Sequence, residues 1–416
     1  MSGNFLRQPV NEKRCYGIIA YSGEQTSCGV SGNFAMIIGI DGYEANVERR
    51  VGIGQYAYET MRSMYEILRR RSSTNVSVIV FLPGKPLSDM PKETGWWQYR
   101  VGGPSSLWTF FGLPRALKRE QSAVDVFYSP THYIPRFTSV PKVMAVMDLS
   151  YLKFPDLFKV KDLYQLRQWT AYSVAHVRKI FTISEASKND IIQAYHVPAD
   201  EVVVTYPGLT MPTQKGTVSL DDLMQKHHIS RNFILSVGTI QPRKNYSRLI
   251  EAFARFIREN KQKYRDLQLV IIGKKGWLYA PILDAPKKFG IADKVKFLDF
   301  VPDGDLPAFY SHALCFALPS LYEGFGLPVL EAVAYKCPVV VSNVSSLPEI
   351  AGKAGIYVEP ESVDSITKGL LTAVRGRNLI QGRQRVNAGL VQVKKFTWEK
   401  AAKQTLAVLE KVGGGL

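Results

Sequence analysis

The chain has 416 residues, 46% of them hydrophobic and 21% charged, with a formal net charge of +17. That balance suits a globular protein long enough for two domains with separate cores, and no apolar run approaches the roughly 18 residues of a membrane-spanning helix. The excess of Lys and Arg points to polyanions, an anionic membrane face or phosphorylated substrates; without zinc-finger spacing, an RNP-like aromatic motif or a basic heptad region, nucleic acid is not an expected partner.

Residues 1–33 are rich in Gly, Ser and polar groups and lack periodicity. They are expected to form a poorly ordered extension with one short strand at GIIAY (17–21). They show no apolar core followed by a small-residue cleavage site, so the expected location is cytoplasmic. Cys15, Cys28, Cys315 and Cys337 form no CxxC pair and have no His at zinc-ligand spacing, which predicts free thiols and no metal site.

AMIIGIDGY (35–43) then reads as a buried strand ending in a turn, and ANVERRVGIG leads into an amphipathic helix from about Gln55. NVSVIVFL (75–82), VDVFYSP (124–130) and KVMAVMDLS (142–150) read as strands and QLRQWTAYSVAHV (165–177) as a helix. Within GWWQYRVGGPSSLWTFFGLPRALKR (95–119), Trp108, Phe110, Phe111 and Leu113 are expected to pack a helix into the core. KIFTISEASKNDIIQAYHV (179–197) reads as a strand, then Ser184 as an N-cap, then a helix with Glu185 in its first turn.

The rhythm repeats after VVVTYPGLTMPTQKG (202–216), a Pro-, Gly- and Thr-rich join. FILSVGT, LQLVIIG, KVKFLDFV, LCFALPS, PVVVSN and AGIYVEP read as strands, with helices at YSRLIEAFARFIRENK, LPAFYSHA, PVLEAVAYK and SLPEIAG. Apolar runs alternating with amphipathic helices predict an α/β protein of two doubly wound, Rossmann-like domains, 34–206 and 207–395, with a final helix in 396–416. Ligands then belong at the carboxyl ends of the strands, in the cleft between the domains.

Five stretches end strands in this way. In LYEGFGLPVLEA, Glu323 and Glu331 are separated by seven residues. Gly324 and Gly326 let the backbone approach a ligand, and a helix start near Pro328 offers unpaired N–H groups. The two carboxylates could grasp sugar or ribose hydroxyls on either side of a phosphate-holding helix start; a glutamate that merely favours the helix dipole is the plainer alternative. In SVGTIQPRKNYSRL, Arg243 and Lys244 suit a diphosphate at the lip of the cleft, or form an exposed basic turn. In ERRVGIGQYAYE, Gly52 and Gly54 resemble part of a dinucleotide fingerprint, but Ala57 occupies its last position, so a plain turn serves equally. In DVFYSPTHYIPRF, His132 could contact a transferred sugar or be a satisfied surface histidine. Asp148, in VMDLS, is weighed as a loop-closing carboxylate ahead of a catalytic one.

Taken together these residues resemble the retaining glycosyltransferases of family 4, of GT-B fold, over roughly Met36 to the C-terminus, and most specifically the bacterial mannosyl- or rhamnosyl-type enzymes of surface polysaccharide assembly. The E-x7-E of Glu323 and Glu331 is the most specific element, and GTIQPRKNYSRLIEAF is similar to the family's diphosphate-binding turn. The resemblance implies that 34–206 is the acceptor side, that 207–395 binds the nucleotide sugar, and that FTWEKAAKQTLAVLE crosses back to the first domain. It implies that Arg243 and Lys244 hold the donor diphosphate and that Glu323 contacts the donor sugar or its phosphate. Backbone groups of Phe325, Gly326 and Leu327 would hold hydroxyls and phosphate, Glu331 would bind ribose, VPDGDLP would flank the base, and Gly52 and Gly54 would close over the donor. His132 would stand for the family's N-domain histidine. Many relatives have a tighter His-x-His-Tyr there, and His-Asp where this chain has Met147–Asp148.

The implied partners are a nucleoside diphosphate sugar and a glycan or lipid-linked saccharide acceptor, with no cofactor and no metal. No DxD motif stands at a strand end near the site, and DGD (303–305) reads as a turn. Residues 1–206 carry 24 Lys+Arg against 18 Asp+Glu and the remainder 29 against 18, so the donor half is the more basic. Peripheral contact with an anionic membrane remains an expected alternative for the aromatic and basic stretch 95–119. The rival functions are a nucleotide-sugar 2-epimerase of the same fold and a non-catalytic nucleotide-sugar-binding subunit. An epimerase turns over without acceptor; a binder loses only affinity when Glu323 is replaced.

Overall fold

The structure is a computed structural model that describes residues 34–71, 75–120, 123–210, 218–299, 301–302 and 304–415. The expected N-terminal extension and its strand at GIIAY lie outside the described residues.

Two all-parallel sheets form the frame. The first contains β1 (Met36–Asp41), β2 (Val76–Leu82), β3 (Trp97–Val101), β4 (Val126–Ser129), β5 (Lys142–Ala145), β6 (Lys179–Thr182) and β7 (Val202–Val204), in the order β3-β2-β1-β4-β5-β6-β7. The second contains β8 (Phe233–Val237), β9 (Gln268–Ile272), β10 (Val295–Leu298), β11 (Cys315–Leu318), β12 (Val339–Ser342) and β13 (Gly355–Val358), in the order β10-β9-β8-β11-β12-β13. The central strands are apolar on both faces and fully buried, β2 over all seven residues, because helices cover each sheet on both sides.

Around the first sheet run α1 (Ile53–Arg70), α2 (Leu113–Glu120), α3 (Ser150–Lys153), α4 (Val160–Val174) and α5 (Glu185–Tyr195). Around the second run α6 (Leu220–His227), α7 (Tyr246–Glu259), α8 (Ala280–Lys288), α9 (Leu306–His312), α10 (Leu327–Ala334), α11 (Leu347–Ala351), α12 (Val363–Gly376) and α13 (Ile380–Val393). The last helix, α14 (Trp398–Gly413), leaves the second sheet and packs on α1, β1 and β4 of the first. Its Glu410 binds Arg71 at 2.6 Å, and Trp398 meets Tyr56 edge-on at 6.1 Å. This is the GT-B architecture that the resemblance implies.

Strand order reverses once in each sheet, between β1 and β4 and between β8 and β11. Such a reversal opens a crevice at the strands' carboxyl ends, because the connecting helices leave to opposite faces. The chain segments that follow these four strands, joined by the one after β5, therefore build much of the site.

Most predicted elements stand within two residues of their positions, and Ser184 caps α5 by accepting from Ser187 N–H. Three readings change. Trp97–Val101 is an edge strand, its buried Trp97 and Tyr99 alternating with partly exposed Gln98 and Arg100. Val202–Val204, the start of the expected join, completes the first sheet as β7. Trp108 and Leu113 are core residues, but Phe111 is 65% exposed: a wide helical turn over Trp108–Gly112 swings it out to solvent.

Candidate functional site

The C-terminal half of the site grows from two turns held side by side. After β8, a single tight turn over Pro242–Lys244 is closed by Asn245, whose backbone is left-handed and whose Nδ2 donates to the carbonyls of Pro319 (2.8 Å) and Pro360 (2.6 Å). That clamp fixes the turn against the end of β11. Lys244 Nζ reaches Glu323 Oε1 at 2.6 Å, and Ser320 Oγ donates to the same oxygen at 2.7 Å. Arg243 Nη1 donates to the Tyr322 carbonyl (2.6 Å) and to Glu323 Oε2 (3.2 Å). Lys244 is 8% exposed and Glu323 5%, so the expected basic turn at the lip is a buried ion cluster. Lys244 turns inward because its partner lies one strand away behind the loop.

Burial alone would raise the Glu323 carboxyl, but the charges of Lys244 and Arg243 outweigh it and hold the group at about 2. Burial pushes the Lys244 ammonium down against the opposing pull of Glu323. Burial also opposes the Arg243 charge, but Glu323 and Asp148 raise it overall. The three groups thus form one largely buried ion cluster.

The loop beyond Glu323 is pinned by serines. Ser345 Oγ accepts from Glu323 N–H (3.0 Å), while Ser346 Oγ faces the carbonyls of Glu323 (2.9 Å) and Phe325 (2.8 Å). Gly326 caps α10 with φ 106°, a conformation that favours glycine, and Leu327 and Pro328 open the helix. A Cβ on Gly324 would sit 2.7 Å from Asp148 Oδ2, so only glycine lets this loop meet the first domain so closely.

The N-terminal half follows β1, β4 and β5. His132 Nε2 accepts from Met147 N–H at 3.1 Å, which places the ring proton on Nδ1, and Nδ1 has no partner among the described residues. Burial lowers the imidazolium pKa despite nearby Asp148, so the ring is neutral. Asp148 Oδ1 accepts from Ser150 N–H at 2.8 Å, the loop-closing contact expected of it. Asp41, at the end of β1, accepts on Oδ1 from Trp108 Nε1–H (2.9 Å) and Tyr43 N–H (3.1 Å).

Between the halves lies a cavity of about 690 Å³. It brings together seven of the candidate site residues singled out from sequence: Gly52, His132, Asp148, Glu323, Gly324, Phe325 and Leu327. Arg243 and Lys244 stand behind Glu323. Gly54 lies in the first turn of α1 and Gly326 under Leu347, and neither lines the cavity. Glu331 does not line it either; its Oε2 accepts from Tyr310 Oη at 2.7 Å. In VPDGDLP, Asp305 is held by Lys226 and His227. Sequence reasoning missed Asp41, Glu44, Gln165 and Trp169, all of which line the cavity. Only Asp41 carried a usable signal, its place at a strand's carboxyl end.

The halves are tied by side chains that cross between them. Glu349 of α11 accepts from Glu185 N–H (3.0 Å) and Ala186 N–H (3.2 Å) at the start of α5, and from Tyr206 Oη (3.0 Å). Tyr322 Oη donates to Asp190 at 2.8 Å. Among the described residues no cluster of three or more His, Cys, Asp or Glu could hold a metal ion.

The family profile of "Glycosyl transferases group 1" matches residues 221–388. Among curated proteins, the O-antigen chain mannosyltransferase B of Escherichia coli is 30% identical over 286 residues, covering 68% of this chain and 73% of that one. The serotype-specific mannosyltransferase WbdA of the same organism is 29% identical over 54% of this chain, but the match spans only 27% of that longer protein. Among solved structures, sucrose-phosphate synthase from Thermosynechococcus elongatus superposes with a TM-score of 0.66 at 16% identity, covering 92% of this chain and all of that one. Its likeness concerns the fold alone. The cluster behind Glu323 falls within the matched segment, and with it the chain belongs to the group 1 glycosyl transferases.

Proposed function

We propose that this glycosyltransferase is a retaining, metal-independent enzyme that moves a mannose-like hexose from a nucleoside diphosphate sugar to a glycan or lipid-linked saccharide acceptor. The observation that carries the reading is the buried Arg243–Glu323–Lys244 cluster at the start of α10, facing neutral His132 across the cavity. As the bond to the diphosphate breaks, negative charge grows on the leaving group. Arg243 and Lys244, held by Glu323 just behind the cavity wall, and the N–H groups at the head of α10 supply the positive potential that stabilises it. Glu323 sets the two cations and meets the donor sugar, and His132 offers Nδ1–H to it. Backbone groups of Phe325, Gly326 and Leu327 hold phosphate and hydroxyls, Glu331 takes ribose, and the Gly52–Gly54 loop closes over the donor. The acceptor approaches on the face the diphosphate leaves, and the diphosphate takes its proton, which retains configuration. The mannosyltransferase relatives favour a mannose-like donor.

One nucleoside diphosphate sugar from a panel is expected to raise the melting temperature selectively and to release its nucleoside diphosphate slowly without acceptor. Product anomers read by NMR should keep the donor's configuration, and chelation of divalent cations should leave turnover within about twofold. Stabilisation by no donor, or an inverted product, would overturn the reading.

Peripheral membrane contact belongs to the same proposal. Among the described residues no helix is long and apolar enough to cross a membrane. Exposed Leu107 and Phe111 adjoin α2, which carries exposed Arg115, Lys118 and Arg119. An apolar wedge flanked by cations suits an anionic surface. Co-sedimentation with phosphatidylserine vesicles is expected at low salt, to be lost at high salt and weakened by Phe111→Ser; no binding at low salt would sink this part.

A further inference from the structure

The N-terminal half of the cavity has a chemistry at odds with the rest of the molecule. The chain carries a net charge of +17, yet among the described residues the cavity lining holds no Lys or Arg. It holds four carboxylates, Asp41, Glu44, Asp148 and Glu323. Two of these are spoken for: Glu323 by Lys244 and Arg243, and Asp148 by Ser150 N–H. Glu44 takes no bond from any described residue, and Asp41 is only half satisfied. Asp41 is 2% exposed, and both its recorded bonds fall on Oδ1, so Oδ2 takes no bond from any described residue. The same lining carries an aromatic cluster. Trp169, on α4, contacts Phe110 with ring centroids 4.2 Å apart and Tyr133 at 5.5 Å, and all three line the same cavity. Gln165, one turn before Trp169, adds an amide on the same face of α4.

We propose that this half of the cavity is an acceptor subsite for an uncharged sugar, which lays its C–H face on Trp169 and Phe110 and donates hydroxyl hydrogens to Asp41 and Glu44. The proposal rests on the transferase reading above and narrows it: the acceptor presents a neutral glycan terminus, not a phosphorylated sugar, to the reacting end. The physical argument is one of sign. A carboxylate is an acceptor-only group that hydroxyls satisfy and phosphates cannot. In a half-enclosed space of low effective dielectric, a phosphate placed beside these two carboxylates, neither of which has a cationic partner among the described residues, meets repulsion that no Lys or Arg of the lining offsets. Aromatic walls with a few convergent polar groups are the usual means of orienting a polar ligand.

The position of Asp41 also argues against a purely structural role. Burial raises its carboxyl to about 6, against the opposing bonds from Trp108 and Tyr43. A carboxyl raised on folding favours the folded state fully only below its ordinary value, and that contribution is lost as pH rises through the folded one. At neutral pH the charge therefore costs stability, and Asn at this position would keep the Trp108 bond without that cost.

The test uses the full chain saturated with whichever nucleoside diphosphate stabilises it. Methyl glycosides of mannose, glucose, galactose and N-acetylglucosamine, and their 6-phosphates, are titrated by ligand-observed NMR up to about 100 mM. At least one neutral glycoside is expected to bind about tenfold or more tightly than its phosphate. Asp41→Asn with Glu44→Gln should weaken the neutral sugar and bring the pair to within about threefold. Asp41→Asn alone should melt higher than the wild type at pH 8, which confirms that it folds; Glu44→Gln alone, at a half-buried position, repeats the comparison. A phosphate bound as tightly as its parent, no neutral glycoside bound at all, or unchanged discrimination in the double variant would overturn the proposal. Failure of every nucleoside diphosphate to stabilise the wild type is read in a separate arm, and would overturn the transferase reading and this inference with it.

Discussion

Glu323→Ala is expected to lower turnover by at least about 10²-fold and to destabilise the second domain by about 3–5 kcal/mol. Both effects have one cause. Glu323 is the shared counter-ion of Lys244 at 2.6 Å and Arg243 at 3.2 Å, and Lys244 lies buried. Removing the carboxylate leaves a buried ammonium with no partner, and both cations lose the group that fixes their direction. The pH dependence should change as well. The folded carboxyl titrates at about 2 against an ordinary 4.5. A depressed carboxyl contributes stability that is complete above the ordinary value and lost as pH falls through the folded one. The wild type should therefore lose stability between about pH 4.5 and pH 2 by a margin that Glu323→Ala lacks. Denaturation at several pH values, with turnover measured on the donor that stabilises the wild type, checks both halves. A variant within about threefold of wild-type turnover would remove Glu323 from the machinery.

Lys244→Met keeps the aliphatic stem and removes the charge. Turnover is expected to fall about 10²–10³-fold, because a fixed cation no longer meets the developing charge on the leaving group. Stability should fall less than in Glu323→Ala. Arg243 and Ser320 still face the carboxylate, so Glu323 is not left alone. The double variant makes the sharper comparison. It orphans neither charge of the Lys244–Glu323 pair, so it should be more stable than Glu323→Ala while remaining inactive. A double variant no more stable than Glu323→Ala would refute the orphaned-ammonium account. Stability and activity thus separate in one cycle, which a purely structural ion cluster would not show.

Much of this was open to reading from local pattern. Continuous apolar runs such as Val76–Leu82 must be covered on both faces, and their alternation with amphipathic helices leaves few arrangements besides doubly wound parallel sheets. Chain segments that leave strand ends are then confined to one rim of each sheet, which is why Glu323, Arg243, Lys244 and His132 could be nominated by position. Local capping was equally legible, as the Ser184 side chain on Ser187 N–H shows. Trp97–Val101 escaped because a short edge strand flanked by aromatics carries too little period to separate from a packed loop.

What the amino-acid sequence determined by itself was therefore the two sheets, their helices and the strand ends where chemistry could gather. The tertiary structure alone decided which of those ends face one another and with what surroundings. It buried Lys244 behind Glu323 instead of leaving it at the lip. It brought Asp41 of β1 into one cavity with Trp169 of α4, 128 positions further along the chain. Among the described residues it also left the cavity lining without Lys or Arg, in a strongly basic protein. The reason is physical: secondary structure follows from interactions a few residues apart, whereas burial, counter-ions and dielectric at a site come from groups hundreds of residues apart that meet only when the domains close.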